Sequence, residues 1–279
     1  MKVSEIMTRD PIVIEVPNRR SVLLKVLAKG RKTGVPVVKK GTVDYVGMVT
    51  RYDIIAKPDI NQVALLTTTD CGKVSSSDDA SKALKSILAS GRRHVPVVDR
   101  GKIKGIITPT NFLKVIIKKG VKTSIIDLVQ RPCIPVWDQT PISVASEMMR
   151  VTGVSALVVV DTETKIIGLV TDRDIQDLSM VERFTAEDVS GSGEDSDPWS
   201  WEGIRDFRRS HRAESRVHLP PVPVDQVMAK KPVTVFERSP ACKAAELMLR
   251  NDYGQLPIRD NDDRIRGMCY DMDLIRCLL

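Results

Sequence analysis

Thr50 and Asp53 set a hydroxyl and a carboxylate three residues apart, and Thr171 and Asp174 repeat the arrangement. Each pair closes a seven-residue phrase, Gly-Met-Val-Thr-Arg-Tyr-Asp at 47–53 and Gly-Leu-Val-Thr-Asp-Arg-Asp at 168–174. A hydroxyl so placed can bond a phosphate or ribose oxygen. The carboxylate can accept from a ribose diol, as an acidic residue does in dinucleotide folds. Where such a phrase ends a strand and opens a helix, unpaired N–H groups and the helix dipole favour phosphate. The same residues also fit a capping box, in which they satisfy backbone N–H groups and bind nothing else. Sequence alone leaves both readings open.

Two altered copies accompany the phrase, at 105–111 and 267–273. The first keeps Thr108 but ends in Asn111, which lacks a carboxylate's charge-assisted strength; its Pro109 suits a first helical position. The second keeps Asp273 but puts Tyr270 in place of threonine, and a phenol fills space that a ribose-phosphate needs. The expectation is one competent, Asp-bearing corner in each half of the chain, with Thr108, Asn111 and Asp273 as weaker candidates.

The elements that position these corners also repeat. The four glycines, 47, 105, 168 and 267, are spaced by 58, 63 and 99 residues, so an insertion of about forty residues breaks an otherwise regular array. Short β-branched runs precede them, Val35-Pro36-Val37-Val38, Val95-Pro96-Val97-Val98, Ala156–Val160 and Leu256-Pro257-Ile258, and read as buried strands. Amphipathic stretches come earlier, such as 81–88 with Leu84, Ile87 and Leu88 on one face. Pro11–Ile14 and Pro232–Val235 read as first strands. Each unit is then strand, helix, strand, strand, helix: an α/β fold of about sixty-residue repeats too small to stand alone.

This pattern resembles the cystathionine-beta-synthase (CBS) domain, carried by the x-Val-Pro-Val strands and the Gly-h-h-Thr-x-x-Asp corners (h, apolar). The resemblance implies four β-α-β-β-α CBS repeats paired into two Bateman modules, 1–120 and 121–279, in a stand-alone, archaeal-like form. The repeats are expected at 1–59, 60–120, 121–180 and 223–279, with a Trp-bearing insertion at 181–222. It further implies adenosyl ligands (AMP, ADP, ATP or S-adenosylmethionine) at Thr50, Asp53, Thr171 and Asp174, with Val35 and Pro36 walling a purine. Paired CBS repeats share a cleft, so phosphate contacts can cross from Arg93 and His94. That basic position resembles the one meeting phosphates in the gamma subunit of AMP-activated protein kinase. A solvated helix end is the alternative for these residues. Arg51 and Arg173, inside the corners, are lesser candidates.

Charge is unevenly spread. Residues 1–120 hold 23 Lys and Arg against 10 Asp and Glu, a net +13, while 121–279 hold 20 against 26, a net −6. A basic half attracts polyanions, although a solvated lysine-rich surface with complementary halves side by side is the simpler account. With aromatics at 4% and no zinc-finger or RNA-recognition motif, nucleic acid is the alternative partner rather than the first. No apolar stretch reaches eighteen residues and no signal peptide is evident, so no membrane association is expected. Five cysteines without Cys-x-x-Cys suggest reduced thiols and a cytoplasmic setting. Three scattered histidines argue against zinc.

The insertion carries an acidic Gly/Ser linker at 189–197, then Trp199 and Trp201, and ends in Pro220-Pro221-Val222-Pro223. Exposed tryptophan usually anchors something, so it is expected to pack on the body or to offer a docking surface. No Gly-x-Ser-x-Gly, P-loop or Cys–His constellation emerges. Asp172 and Asp174 do not face one another on a helix, so they make no metal pair. The expectation is a regulatory sensor and not an enzyme, acting on an unidentified effector protein or through a homodimer. A nucleic-acid-binding protein and an adaptor with vestigial pockets are the alternatives.

Overall fold

The computed structural model describes residues 1–30, 32–57, 60–130, 132–175, 178 and 219–279. The insertion expected at 181–222, with Trp199 and Trp201, lies outside them except for its last four residues.

After a short helix α1 (Val3–Ile6) and strand β1 (Thr8–Arg9), the first repeat runs β2 (Ile14–Val16), α2 (Arg20–Lys29), β3 (Gly34–Lys39), β4 (Tyr45–Thr50) and α3 (Arg51–Ala56). The second has α4 (Val63–Leu66), α5 (Ala80–Ser90), β5 (Val95–Asp99), β6 (Lys102–Ile107) and α6 (Pro109–Lys119). The third has β7 (Pro135–Trp137), α7 (Ile142–Thr152), β8 (Ala156–Val160) and β9 (Ile166–Thr171), with a helix opening at Asp172. Strand β10 (Ala229–Lys230) leads to the fourth: β11 (Val235–Phe236), α8 (Ala241–Asn251), β12 (Gln255–Arg259), β13 (Ile265–Tyr270) and α9 (Asp271–Leu274). In repeat one β2 and β3 are parallel and β3 and β4 antiparallel, with a register shift between Val37 and Val38. The same shift recurs at Val97/Val98 and Val159/Val160. The α/β architecture expected from the repeat is the one present.

Local chemistry sets the helix limits. Asp79 caps α5 by accepting from the Ser81 N–H at 2.9 Å, and Gly91 ends it in the left-handed conformation. Its buried stripe is Ala80, Ala83, Leu84 and Ile87, and each large member contributes about 1.5–3 kcal/mol by leaving water.

The chain forms two compact units, and their limits differ from the expected halves. One comprises Met1–Gln130, Arg238–Gln255 and Cys269–Leu279; the other comprises Arg131–Glu237 and Leu256–Met268. In the first, α6 packs on α8, α9 and the terminal turn Ile275–Leu278. The cause is the breadth of the apolar surface of α6, where Phe112, Leu113, Val115 and Ile116 are all buried. A helix apolar on so many sides needs neighbours beyond its own sheet. Ala241, Ala244, Ala245 and Met248 are the buried residues of α8. In the second unit, Val136, Ile142, Ala145, Leu157, Val159 and Val170 form the core.

The segments ahead of repeats one, two and four each cross to another repeat. Strand β1 pairs with β6, Thr8 opposite Ile106 and Arg9 opposite Gly105. Reciprocally, Thr68 exchanges two backbone hydrogen bonds with Met48 of β4, at 2.8 and 2.9 Å. Strand β10 lies on β9, Lys230 opposite Gly168. The expected repeat 1–59 thus gives its leader to its neighbour's sheet. This also explains three of the recurring glycines. A Cβ on Gly47 would lie 2.5 Å from the Thr68 carbonyl oxygen, and one on Gly105 would lie 2.7 Å from that of Thr8. One on Gly168 would strike Met228 Sδ. At Gly267 the nearest atom is Ile258 Cδ1 at 3.6 Å, an ordinary contact.

Candidate functional site

At the first corner, β4 ends on Thr50 and α3 begins. Asp53 Oδ2 accepts from the Thr50 N–H at 2.8 Å and from the Thr50 hydroxyl at 2.6 Å, while the Asp53 N–H donates to Thr50 Oγ1 at 3.3 Å. This is the reciprocal capping box. The other oxygen, Oδ1, accepts from the Thr68 hydroxyl at 3.3 Å, brought in by the crossing leader of repeat two. Both Thr50 and Asp53 keep partial solvent exposure. Thr171 and Asp174 reproduce the geometry, with 2.8 Å from the Thr171 N–H and 2.7 Å from its hydroxyl, and are likewise partly exposed. Asp172 and Arg173 are exposed on the first turn that follows.

Repeats two and four use the corner differently. Asn111 is 5% exposed. Its carbonyl accepts from the Thr108 N–H and hydroxyl, and its amide nitrogen donates to the Ile6 carbonyl and to Thr8 Oγ1. All of its polar capacity serves the fold. Asp273 is 1% exposed beneath Tyr270, whose N–H it accepts at 3.2 Å. A ligand does not reach that carboxylate without rearrangement of Tyr270.

The neighbouring repeat does contribute to the first corner. Gly34 opens β3 opposite Thr50, and a Cβ there would lie 3.0 Å from Thr50 Cγ2 and 3.1 Å from His94 Cε1. The absent side chain lets repeat one's threonine and repeat two's histidine approach. His94 Nε2 also meets Thr33 Oγ1 at 3.0 Å. Burial, with Arg93 and Lys32 nearby, pushes the imidazole down to about 4, so it is neutral at pH 7. It can hydrogen-bond but carries no charge to offer a phosphate.

Arg93 points elsewhere than expected. Its Nη1 donates to Asp271 Oδ1 at 2.7 Å and its Nη2 to Oδ2, a two-point pair with the first turn of α9. Val35, expected to wall a purine, belongs to the core with Leu23 and Val49, and Pro36 is buried beside it. Arg51 bonds the Lys32 carbonyl at 3.2 Å. Sequence reasoning missed Thr33, Gly34 and Thr68. The signal for Thr68 was the hydroxyl in each leader, Thr8 and Thr68, which ends at the partner's corner.

Among the described residues no group of His, Cys, Asp and Glu is arranged to hold a metal ion, and no helix is long and apolar enough to cross a membrane.

The family model of the CBS domain matches four stretches, 3–59, 63–118, 125–180 and 224–279. The chain belongs to the CBS domain family. Its four CBS domains are consistent with two Bateman modules. It is 25% identical to MJ1404 of Methanocaldococcus jannaschii over 98% of this chain, spanning 61% of that protein's length. A CBS domain-containing protein of Dictyostelium discoideum is 28% identical over half of this chain and 80% of its own. Two solved structures superpose over the full length of both chains. One is a conserved protein of Pyrococcus horikoshii, with a TM-score of 0.67 and 24% identity. The other is MJ1225 of M. jannaschii, proposed as an archaeal homologue of γ-AMPK, with a TM-score of 0.75 and 18% identity. These likenesses establish a shared CBS fold. CBS-domain proteins are typically regulatory and non-catalytic.

Proposed function

We propose that this CBS protein is a non-catalytic sensor. It binds an adenosyl ligand at the Thr50/Asp53 and Thr171/Asp174 corners and transmits occupancy to a partner protein. The repeats are taken as 1–59, 60–120, 121–180 and 223–279, with 181–222 as an insertion between the last two. The observation that carries the reading is a division among the four corners. Asp53 and Asp174 are partly open to solvent, whereas Asn111 and Asp273 are enclosed at 5% and 1% exposure. A carboxylate that both caps a helix and faces solvent can accept a ribose diol with its remaining lone pairs. At the first corner Thr68 adds an uncharged hydrogen-bonding group at the same carboxylate, and the Thr33–His94 pair lies near Gly34 opposite Thr50.

The coupling is linkage: a ligand touching groups of two repeats favours the arrangement that brings them together. The AMP, ADP, ATP and S-adenosylmethionine series tests it by thermal melting. A ligand at 100 times its Kd stabilises by about 2.7 kcal/mol. No shift with any member, or a shift unchanged in Asp53→Asn and Asp174→Asn together, overturns the reading. The net charge of +13 in residues 1–120 supports nucleic acid as a second reading. That reading predicts steeply salt-dependent binding indifferent to both substitutions.

A further inference from the structure

The β5–β6 hairpin of repeat two turns through Arg100 and Gly101, both in the left-handed region at φ 50° and 78°. Two-residue turns of this kind favour Asn-Gly or Asp-Gly, because a larger L-residue pays for positive φ. Arginine at that position works against the turn. A side chain kept where the backbone disfavours it points to a role outside the fold.

Arg100 lies at one end of an open cleft of about 760 Å³, bordered by the Ser75–Ser77 loop and by Asp99, Lys102 and Lys104. An adjoining recess shares Ser76, Asp99 and Lys104 and adds Arg9 from the crossing leader and Asp10 next to it. Lys102 and Lys104 alternate with buried Ile103 and so share the exposed face of β6. Among the described residues the salt bridges include neither lysine nor Arg100. Asp99, which lines the cleft, is already hydrogen-bonded. It accepts from the Ser75 hydroxyl at 2.7 Å and from the Ser76 N–H at 3.0 Å, and these bonds hold its carboxyl below the ordinary range. Its hydrogen bonds pin the serine loop, and the charge of Lys104 adds a smaller stabilisation of the carboxylate.

Four cations, Arg9, Arg100, Lys102 and Lys104, outnumber the two carboxylates, Asp10 and Asp99, along the same surface, and such an excess favours an anion. The cleft has no aromatic side chain to stack a base and little apolar lining beyond Val98 and Met7. It stands at the hairpin end of β5 and β6, whereas Thr108 follows the opposite end of β6. We infer that this cleft is a second ligand site, separate from the Thr-x-x-Asp corners, and that it takes a compact phosphate-bearing polyanion such as pyrophosphate through Arg100, Lys102 and Lys104.

The test is calorimetric titration of the full chain with inorganic pyrophosphate at 0.15 M salt. The comparison proteins are Lys102→Glu/Lys104→Glu, Arg100→Asn, and Lys25→Glu/Lys85→Glu, which makes the same charge change on exposed helix positions. Expected are saturable binding to the wild type, a loss of about tenfold or more in the cleft double variant, and little change in the helix double variant. Arg100→Asn should weaken pyrophosphate while raising the melting temperature, because asparagine suits the turn. Absence of saturable binding below about 10 mM overturns the inference. So does binding that survives Lys102→Glu/Lys104→Glu, or falls equally in the helix control. Tighter binding of a twenty-base oligonucleotide, abolished by the same cleft substitutions, overturns it in favour of a nucleic-acid surface.

Discussion

Arg93 and Asp271, 178 residues apart in sequence, form a two-point ion pair between repeats two and four, in which the carboxylate is 2% exposed and the guanidinium 41%. The asymmetry decides what each deletion costs. Arg93→Ala strands a buried carboxylate and should cost about 3 kcal/mol. Asp271→Asn leaves an arginine that water can still reach and should cost about 1 kcal/mol. Urea denaturation of the two variants measures the difference; a larger cost for Asp271→Asn would refute the account.

The recurring glycines should not be equivalent. Gly47→Ala meets a backbone carbonyl that cannot swing aside and should destabilise by about 1–3 kcal/mol. Gly168→Ala meets a methionine side chain and should cost less, because Met228 can adopt another rotamer. Gly267→Ala should be neutral within about 0.5 kcal/mol. Melting temperatures of the three proteins give the order directly.

Asp53→Asn separates capping from binding. In repeat two Asn111 already caps Thr108 at 2.8 Å, the distance Asp53 keeps to Thr50. The amide should therefore hold the helix start to within about 0.5 kcal/mol, where Asp53→Ala should cost about 1 kcal/mol. Adenosyl-ligand affinity should fall by about tenfold in both, from loss of the charged acceptor. Parallel melting and binding curves check the two quantities.

His94 sets a pH dependence. Its imidazole titrates near 4 when folded and near 6.5 when unfolded. Between those values the unfolded chain binds more protons, so this residue makes stability fall as pH drops from 6.5 towards 4. The contribution is intact above pH 6.5, and the loss is on the order of 2 kcal/mol near pH 4. His94→Gln should flatten this part of the profile when denaturation midpoints are compared at pH 7 and pH 4.5. An unchanged slope would show that His94 is not the group responsible.

The corners were legible in the sequence because everything that makes them is local. A threonine, an acid three residues on and a preceding strand lie within one phrase, and the structure places them at one helix start. The ambiguity between cap and ligand site was legible too, since both use the same atoms. What could not be read was carried by distant contacts. Nothing near Arg93 announces that its partner is Asp271 and not a phosphate. The breadth of α6's apolar surface hinted at a further neighbour without naming α8. The glycines read as repeat markers; their cause, a crossing leader at Gly47, Gly105 and Gly168, appears only once Thr68, Thr8 and Met228 are in place.

The exchange of leaders also fixes a schedule for synthesis. Thr8 and Arg9 leave the ribosome almost a hundred residues ahead of their partners Ile106 and Gly105. At roughly 5–20 residues per second, that segment waits about 5–20 s for the strand it must join. Until then the nascent chain has an unfilled edge, and repeat one is complete only after repeat two has begun. Strand pairing closes only at the level of the pair, and the core of that unit closes later still, when α8 and α9 arrive to cover α6.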